Sequence, residues 1–135
     1  FSQKVKLFSA SRIVNRGTIS KIDESAKKGY DAPFPSDKYK AGARIFPTLV
    51  PTTSTDPATV PNRAAWEILK RWEKPFLTAF SDSDPITKGG ERYLKKVIPG
   101  ARDQDHVIIK GAGHFLQEDK GEELGKLVVD FISRN

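Results

Sequence analysis

The chain has 135 residues, 23 Lys and Arg against 17 Asp and Glu for a formal charge of +6, 37% hydrophobic and 30% charged side chains, and no cysteine. That balance describes a globular chain and excludes a disordered tail, a collagen-like repeat and a disulfide scaffold. The apolar runs are a few residues long, against the ~20 that a membrane-crossing helix needs, and the opening FSQKVKLFSASR lacks the apolar middle of a signal peptide, so neither is expected.

The charge is uneven along the chain. Residues 1–50 carry ten basic and four acidic side chains, whereas residues 51–135 carry thirteen of each. A basic front segment can touch nucleic acid or anionic lipid. Here the basic residues are dispersed and no nucleic-acid motif accompanies them, so a solvated surface is the better reading and no nucleic-acid or membrane partner is expected. The lack of cysteine is compatible with a reducing cytoplasm, the expected location. With no methionine and Phe1 in first place, the sequence reads as a piece of a longer protein.

In chain order, Ile22, Ala26 and Tyr30 recur at four-residue spacing behind Ser20, a candidate N-cap, and the segment stops at Pro33 and Pro35. A second helix is expected over residues 37–46, with Tyr39, Ala43 and Phe46 on one face and Pro47 ending or kinking it. Residues 51–61 (PTTSTDPATVP) read as loop. From Asn62, a stripe of Ala65, Ile68, Leu69 and Trp72 predicts a helix with Pro61 at its entrance. Pro75 breaks it, and residues 76–80 (FLTAF) read as a short buried strand. A tight loop at 82–85, a helix over 90–97 carrying Tyr93, Leu94 and Val97, and a second strand over 106–109 follow. After the loop 111–114, Leu124, Leu127, Val128, Phe131 and Ile132 form a helical stripe expected to face the core.

Strands alternating with helices predict an α/β architecture with a parallel sheet. Two strands do not make a stable sheet alone, so further strands are expected from outside these residues. In such sheets, functional groups gather where strands end. Two loops leave such ends, one with Asp82 and Asp84 and one with His114. A histidine there can take a proton from water or a nucleophile, and a carboxylate can hold its tautomer and stabilise the imidazolium. Taken singly, a histidine in a glycine loop is more often a surface residue, and an aspartate before Pro85 a turn residue. Asp84 and His114, each just past a predicted strand, make the better pair, with Asp82 as the other candidate acid. His106 opens a strand and so stands at the wrong end. Two histidines without cysteine give no metal cluster, and residues 88–90 lack the spacing of a phosphate loop.

Three segments carry a resemblance: residues 76–87 (FLTAFSDSDPIT), 111–118 (GAGHFLQE) and 30–47 (YDAPFPSDKYKAGARIFP). Together they resemble the C-terminal part of a haloalkane dehalogenase, in the branch whose catalytic acid follows the next-to-last core strand. GAGHFLQE is shared loosely across α/β-hydrolases, whereas the cap-like segment 30–47 favours dehalogenases over epoxide hydrolases. The resemblance implies the C-terminal portion of an α/β-hydrolase fold, with residues 1–60 a helical cap portion and 61–135 part of the core domain. It implies that His114 is the base that activates water, that Asp84 is the acid orienting it, and that Phe46, Pro47 and Val50 line the halide and substrate pocket. Core packing competes as a reading for Phe46. Trp66 and Trp72 read as core, the family's halide-binding tryptophans falling before Phe1.

The implied reaction converts a small haloalkane to alcohol, halide and proton without a cofactor. No aspartate before Asp84 follows a buried strand; Asp23, Asp31 and Asp37 lie in the cap-like segment. The family's nucleophile is thus absent from this chain, and the rest of the enzyme, joined or tightly associated, is the expected partner. Two other readings stand beside it. One is an epoxide hydrolase or another α/β-hydrolase, with Tyr30 and Tyr39 as proton donors; the other is a non-catalytic remnant that binds a partner through its sheet edge.

Overall fold

A computed structural model describes residues 2, 4 and 8–135. The first helix, α1 (Ala10–Gly17), is one that the sequence reading missed. Its Ser9 cap accepts the Arg12 N–H, but only Ser11 and Val14 on it are buried, too few to make an apolar stripe. The next helix, α2 (Glu24–Asp31), starts later than expected. Asp23, not Ser20, is its cap, accepting the Ala26 N–H at 2.7 Å. Its last residue is a carboxylate at the negative end of the helix dipole, an unfavourable place. Donors at the start of α1 offset this: Asp31 accepts the Ser11 N–H at 3.1 Å and the Ser11 hydroxyl at 2.6 Å. The two helices are thereby tied end to end around Val14 and Ile22.

The helix expected over 37–46 is broken into three. A 3₁₀ turn, Asp37–Lys40, leads into α3 (Ala41–Ile45), and a second 3₁₀ turn, Phe46–Leu49, contains Pro47 instead of stopping at it. The face proposed for it is not a core face, since Tyr39 and Phe46 are both exposed. Helix α4 (Thr59–Leu69) begins inside the segment read as loop. Thr59 N–H and Ala58 N–H both bond to Asp56 and start the first turn early, and Pro61 is tolerated because it still lies within that turn. The stripe on α4 is not buried either. Ile68 is exposed, Trp66 is half-buried with its ring edge on Tyr93 at 5.2 Å, and Trp72 lies past the helix, 38% exposed, so neither tryptophan is a core residue among the described residues.

Strands β1 (Ala79–Ser81) and β2 (Val107–Ile109) pair in parallel, Ala79 with Val107, Phe80 with Ile108 and Ser81 with Ile109. Both are shorter than predicted, and His106 explains why. Its Nδ1 accepts the Thr78 N–H at 3.0 Å, while the Phe76 N–H goes to the Gly100 carbonyl. The N–H groups of Phe76 and Thr78 thus leave the ladder. Since Nδ1 accepts, the proton is on Nε2, which donates to the Ala101 carbonyl at 2.7 Å. His106 is thus a structural plug.

Helix α5 (Gly90–Val97) has the predicted bounds, with Gly89 at φ +87° before it. A 3₁₀ turn, Pro99–Ala101, carries the chain to β2. Helix α6 (Leu116–Arg134) closes the chain and bends at Lys120, whose φ and ψ of −142° and 41° are not helical. Its existence agrees with the sequence, its burial does not: Leu124, Leu127 and Phe131 are half-buried, whereas Val128 and Ile132 are exposed. Two apolar centres result. Ile98, Ala101, Ile109 and Ala112 are buried from the end of α5 to the loop after β2, and Phe8, Val14 and Ile22 in the front segment. Among the described residues no helix is long and apolar enough to cross a membrane.

Gly100 sits where backbones nearly touch: a Cβ there would stand 1.8 Å from the Lys74 carbonyl oxygen. Gly100→Ala is expected to destabilise the protein by about 2–3 kcal/mol in denaturant unfolding.

Candidate active site

Parallel pairing brings the carboxyl ends of β1 and β2 side by side, and the loops that leave them are laced together. The Asp82 N–H continues the ladder to the Ile109 carbonyl at 3.1 Å, and the Ser83 N–H reaches the Ala112 carbonyl at 3.2 Å. In return Asp82 Oδ1 accepts the Gly111 N–H at 3.0 Å, and the buried Ser81 hydroxyl donates to the Gly113 carbonyl at 2.8 Å. Gly111 turns the loop at φ +70°, a conformation that favours glycine.

The structure brings Asp84 and His114 together. His114 Nδ1 stands 3.1 Å from both carboxylate oxygens of Asp84. Asp84 is 3% exposed. Burial acts most strongly on its carboxyl and raises its pKa, but the Thr87 hydroxyl, the Ile86 N–H, the His114 ring and the Thr87 N–H outweigh it and hold it at about 2. The carboxylate is therefore ionised and only accepts, so the ring proton lies on Nδ1. That leaves Nε2 with a lone pair, and nothing among the described residues bonds to it. The ring is about one third exposed and rests edge-on against Phe115, 5.1 Å between centroids. Such a ring can accept a proton at Nε2 while the buried carboxylate stabilises the charge that forms. The other acid candidate, Asp82, faces Gly111 and Ser83, not the ring.

Phe46, Pro47 and Val50 are not brought onto this pair. Phe46 and Val50 are 73% and 62% exposed, and Pro47 is exposed between them. Of the two tyrosines considered as proton donors, Tyr39 is exposed, and Tyr30 donates to Glu118 Oε1 at 2.5 Å, which raises its pKa. A cavity of about 260 Å³, lined by Leu77, Val107, Leu127 and Phe131, lies at the opposite ends of the strands from His114. No group of three or more His, Cys, Asp or Glu able to hold a metal occurs among the described residues.

Sequence reasoning missed Asp119. Its carboxylate accepts the Gly113 N–H at 2.8 Å, the Ile19 N–H at 3.0 Å, and from Ser20 both the N–H at 2.8 Å and the hydroxyl at 2.5 Å. Burial raises its pKa most strongly, yet these four donors together hold it at about 2. Acids are common in a first helical turn, so no local pattern distinguished this one; Gly113 is six residues away, but Ile19 and Ser20 are about a hundred.

No family model matches the chain. It is 51% identical over all 135 residues to a haloalkane dehalogenase of Psychrobacter cryohalolentis, of which it covers 45%. It is 49% identical over 131 residues to haloalkane dehalogenase 1 of Mycobacterium tuberculosis and 47% to the haloalkane dehalogenase of Mycobacterium marinum, covering 43% and 44% of them. The chain is a homologue of haloalkane dehalogenases. It spans less than half the length of these relatives. In structure it matches the tetrameric haloalkane dehalogenase DpaA of Paraglaciecola agarilytica NO2, with a TM-score of 0.81 and 28% identity over 93% of this chain and 42% of that one. Its α/β architecture is thus that of the C-terminal portion of an α/β-hydrolase fold.

Asp84 offers a test by pH. Its folded pKa of about 2 lies below the ordinary 3.8, so its contribution to stability is complete above pH 3.8 and is lost as the pH falls toward 2. The stability difference between the protein and Asp84→Asn should therefore narrow across that window in urea unfolding. A difference that stays constant there would show that the buried carboxylate is not held ionised.

Proposed function

We propose that these residues form the proton-handling half of a haloalkane dehalogenase, cytoplasmic and acting without a cofactor on small haloalkanes. The observation that carries the reading is the buried Asp84 carboxylate on His114 Nδ1, at 3.1 Å to both oxygens, with Nε2 unengaged. The homology, at 51% identity over the whole chain, supports the same chemistry. Residues 1–60 are read as a cap portion and 61–135 as core. The remaining part of the protein, joined or tightly associated, is read as its partner and as the source of the aspartate nucleophile.

In this scheme that aspartate displaces halide from the substrate carbon, giving an alkyl ester on the protein and free halide. His114 Nε2 then takes a proton from water as the water attacks the ester carbonyl, and the ester breaks to alcohol and the regenerated carboxylate. The imidazolium formed on the way is stabilised by Asp84, which stays ionised because its pKa is so low. Phe46, Pro47 and Val50 are assigned to the wall of the halide and substrate pocket, covered once the rest of the protein lies against them. An apolar wall suits the reaction, since a desolvated carboxylate is the stronger nucleophile.

The two steps can be separated. In the full-length protein given a bromoalkane, His114→Ala should release one equivalent of bromide per site and stop, with the alkyl adduct visible by intact mass. Asp84→Asn should lower steady turnover about 10³–10⁴-fold, the scale found when such an orienting carboxylate is lost. Residues 1–135 expressed alone should release no bromide. Continued turnover by His114→Ala at the unaltered rate would overturn the assignment.

A further inference from the structure

We propose that Asp119 is a positioning residue for His114, fixing the backbone on which the ring turns. The inference rests on the hydrolytic reading of His114 and adds to it a residue outside the proton-handling pair: the partners of Asp119 are Gly113, Ile19 and Ser20. A carboxylate in the first turn of a helix ordinarily serves its own helix by facing the free N–H groups there. Asp119 instead turns away from α6. Oδ2 takes the N–H groups of Gly113 and Ile19, and Oδ1 takes the N–H and hydroxyl of Ser20. Its acceptor capacity of about four lone-pair sites is thereby filled.

The place of this clamp matters as much as its strength. It grips the N–H of Gly113, the residue immediately before His114. The peptide immediately after is held from the same segment, since the Phe115 N–H donates to the Gly17 carbonyl at 3.2 Å. The chain on both sides of the histidine is thus fastened to residues 17–20. The contact is close enough to exclude side chains: a Cβ on Gly113 would stand 2.4 Å from the Gly17 oxygen, and one on Gly17 would stand 2.6 Å from the Phe115 ring. Asp84 sets the tautomer of His114 and holds its Nδ1 edge, while the backbone at 113–115 sets the point from which the ring reaches out. A base misplaced by an ångström can lose two orders of magnitude in rate.

Asp119→Asn keeps the size of the side chain and puts an NH₂ where two N–H donors expect an oxygen. The test uses the full-length protein, rapid-quench bromide release and the imidazole Nδ1 proton signal of His114 by NMR. The expected result is a bromide burst of one equivalent at an unaltered rate, because alkylation does not use His114, with steady turnover about tenfold or more slower, as loss of base alignment implies. The hydrogen-bonded Nδ1 proton signal should broaden or vanish. A merely structural role would lower burst and turnover together, and that outcome, or no change in either, overturns the proposal. Should Asp119→Asn fail to fold, Ser20→Ala removes only the hydroxyl; it should keep the burst and slow turnover about two- to fivefold, and unaltered turnover would overturn the proposal. If the unaltered protein releases no halide, the hydrolytic reading is what fails, and the Nδ1 signal in Asp119→Asn still decides whether the clamp positions the ring.

Discussion

Three residues of parallel strand, Ala79–Ser81 against Val107–Ile109, determine where Asp84 and His114 stand. The pairing is short, yet it aligns two loops whose sequences are thirty residues apart, and those loops then extend the ladder through Asp82, Ser83 and Gly111. Without that alignment, Asp84 and His114 would be a turn residue and a glycine-loop histidine. With it, a carboxylate 3% exposed meets an imidazole about one third exposed. The energetics favour the ionised carboxylate, since the donors to Asp84 outweigh its desolvation.

How much of this was readable from the sequence depended on range. The strand–loop–helix order, the bounds of α5 and the partnership of Asp84 with His114 were legible because local apolar runs and loop residues mark strand ends. The lengths of the strands were not, because His106 draws off the Thr78 N–H from across the chain. Ser20 looked like a cap and is instead a donor to Asp119, while Asp23 caps the helix. Short-range patterns cannot tell two such candidates apart when a residue a hundred positions away claims one of them. Burial was the least legible property. Apolar periodicity identified the helices α4 and α6, but Ile68, Val128 and Ile132 on those stripes are exposed among the described residues.

Polar contacts between distant segments recur in this chain. Asp31 fastens the end of α2 to the start of α1, Tyr30 reaches Glu118 at the start of α6, and Asp119 joins α6 to the loop after α1. Asp31 and Asp119 each collect backbone donors left free at helix ends and in loops, which is where unsatisfied N–H groups accumulate, while Glu118 takes the Tyr30 hydroxyl. Gly17, Ile19, Ser20 and Tyr30 are thus attached to the His114 region by directional bonds. Such bonds define an orientation in a way that apolar contact alone does not.

The glycine pair at 17 and 113 has a mechanical meaning. Where helices meet through side chains, rotamers can shift to absorb small displacements, so that motion on one side is damped before it reaches the other. Gly17 and Gly113 meet backbone to backbone, with no rotamer between them. A tilt of α1 therefore bears directly on the histidine loop. The same contact that holds the loop still when α1 is still makes α1 a lever on it, so fluctuations of the front helices and of the imidazole should share one timescale.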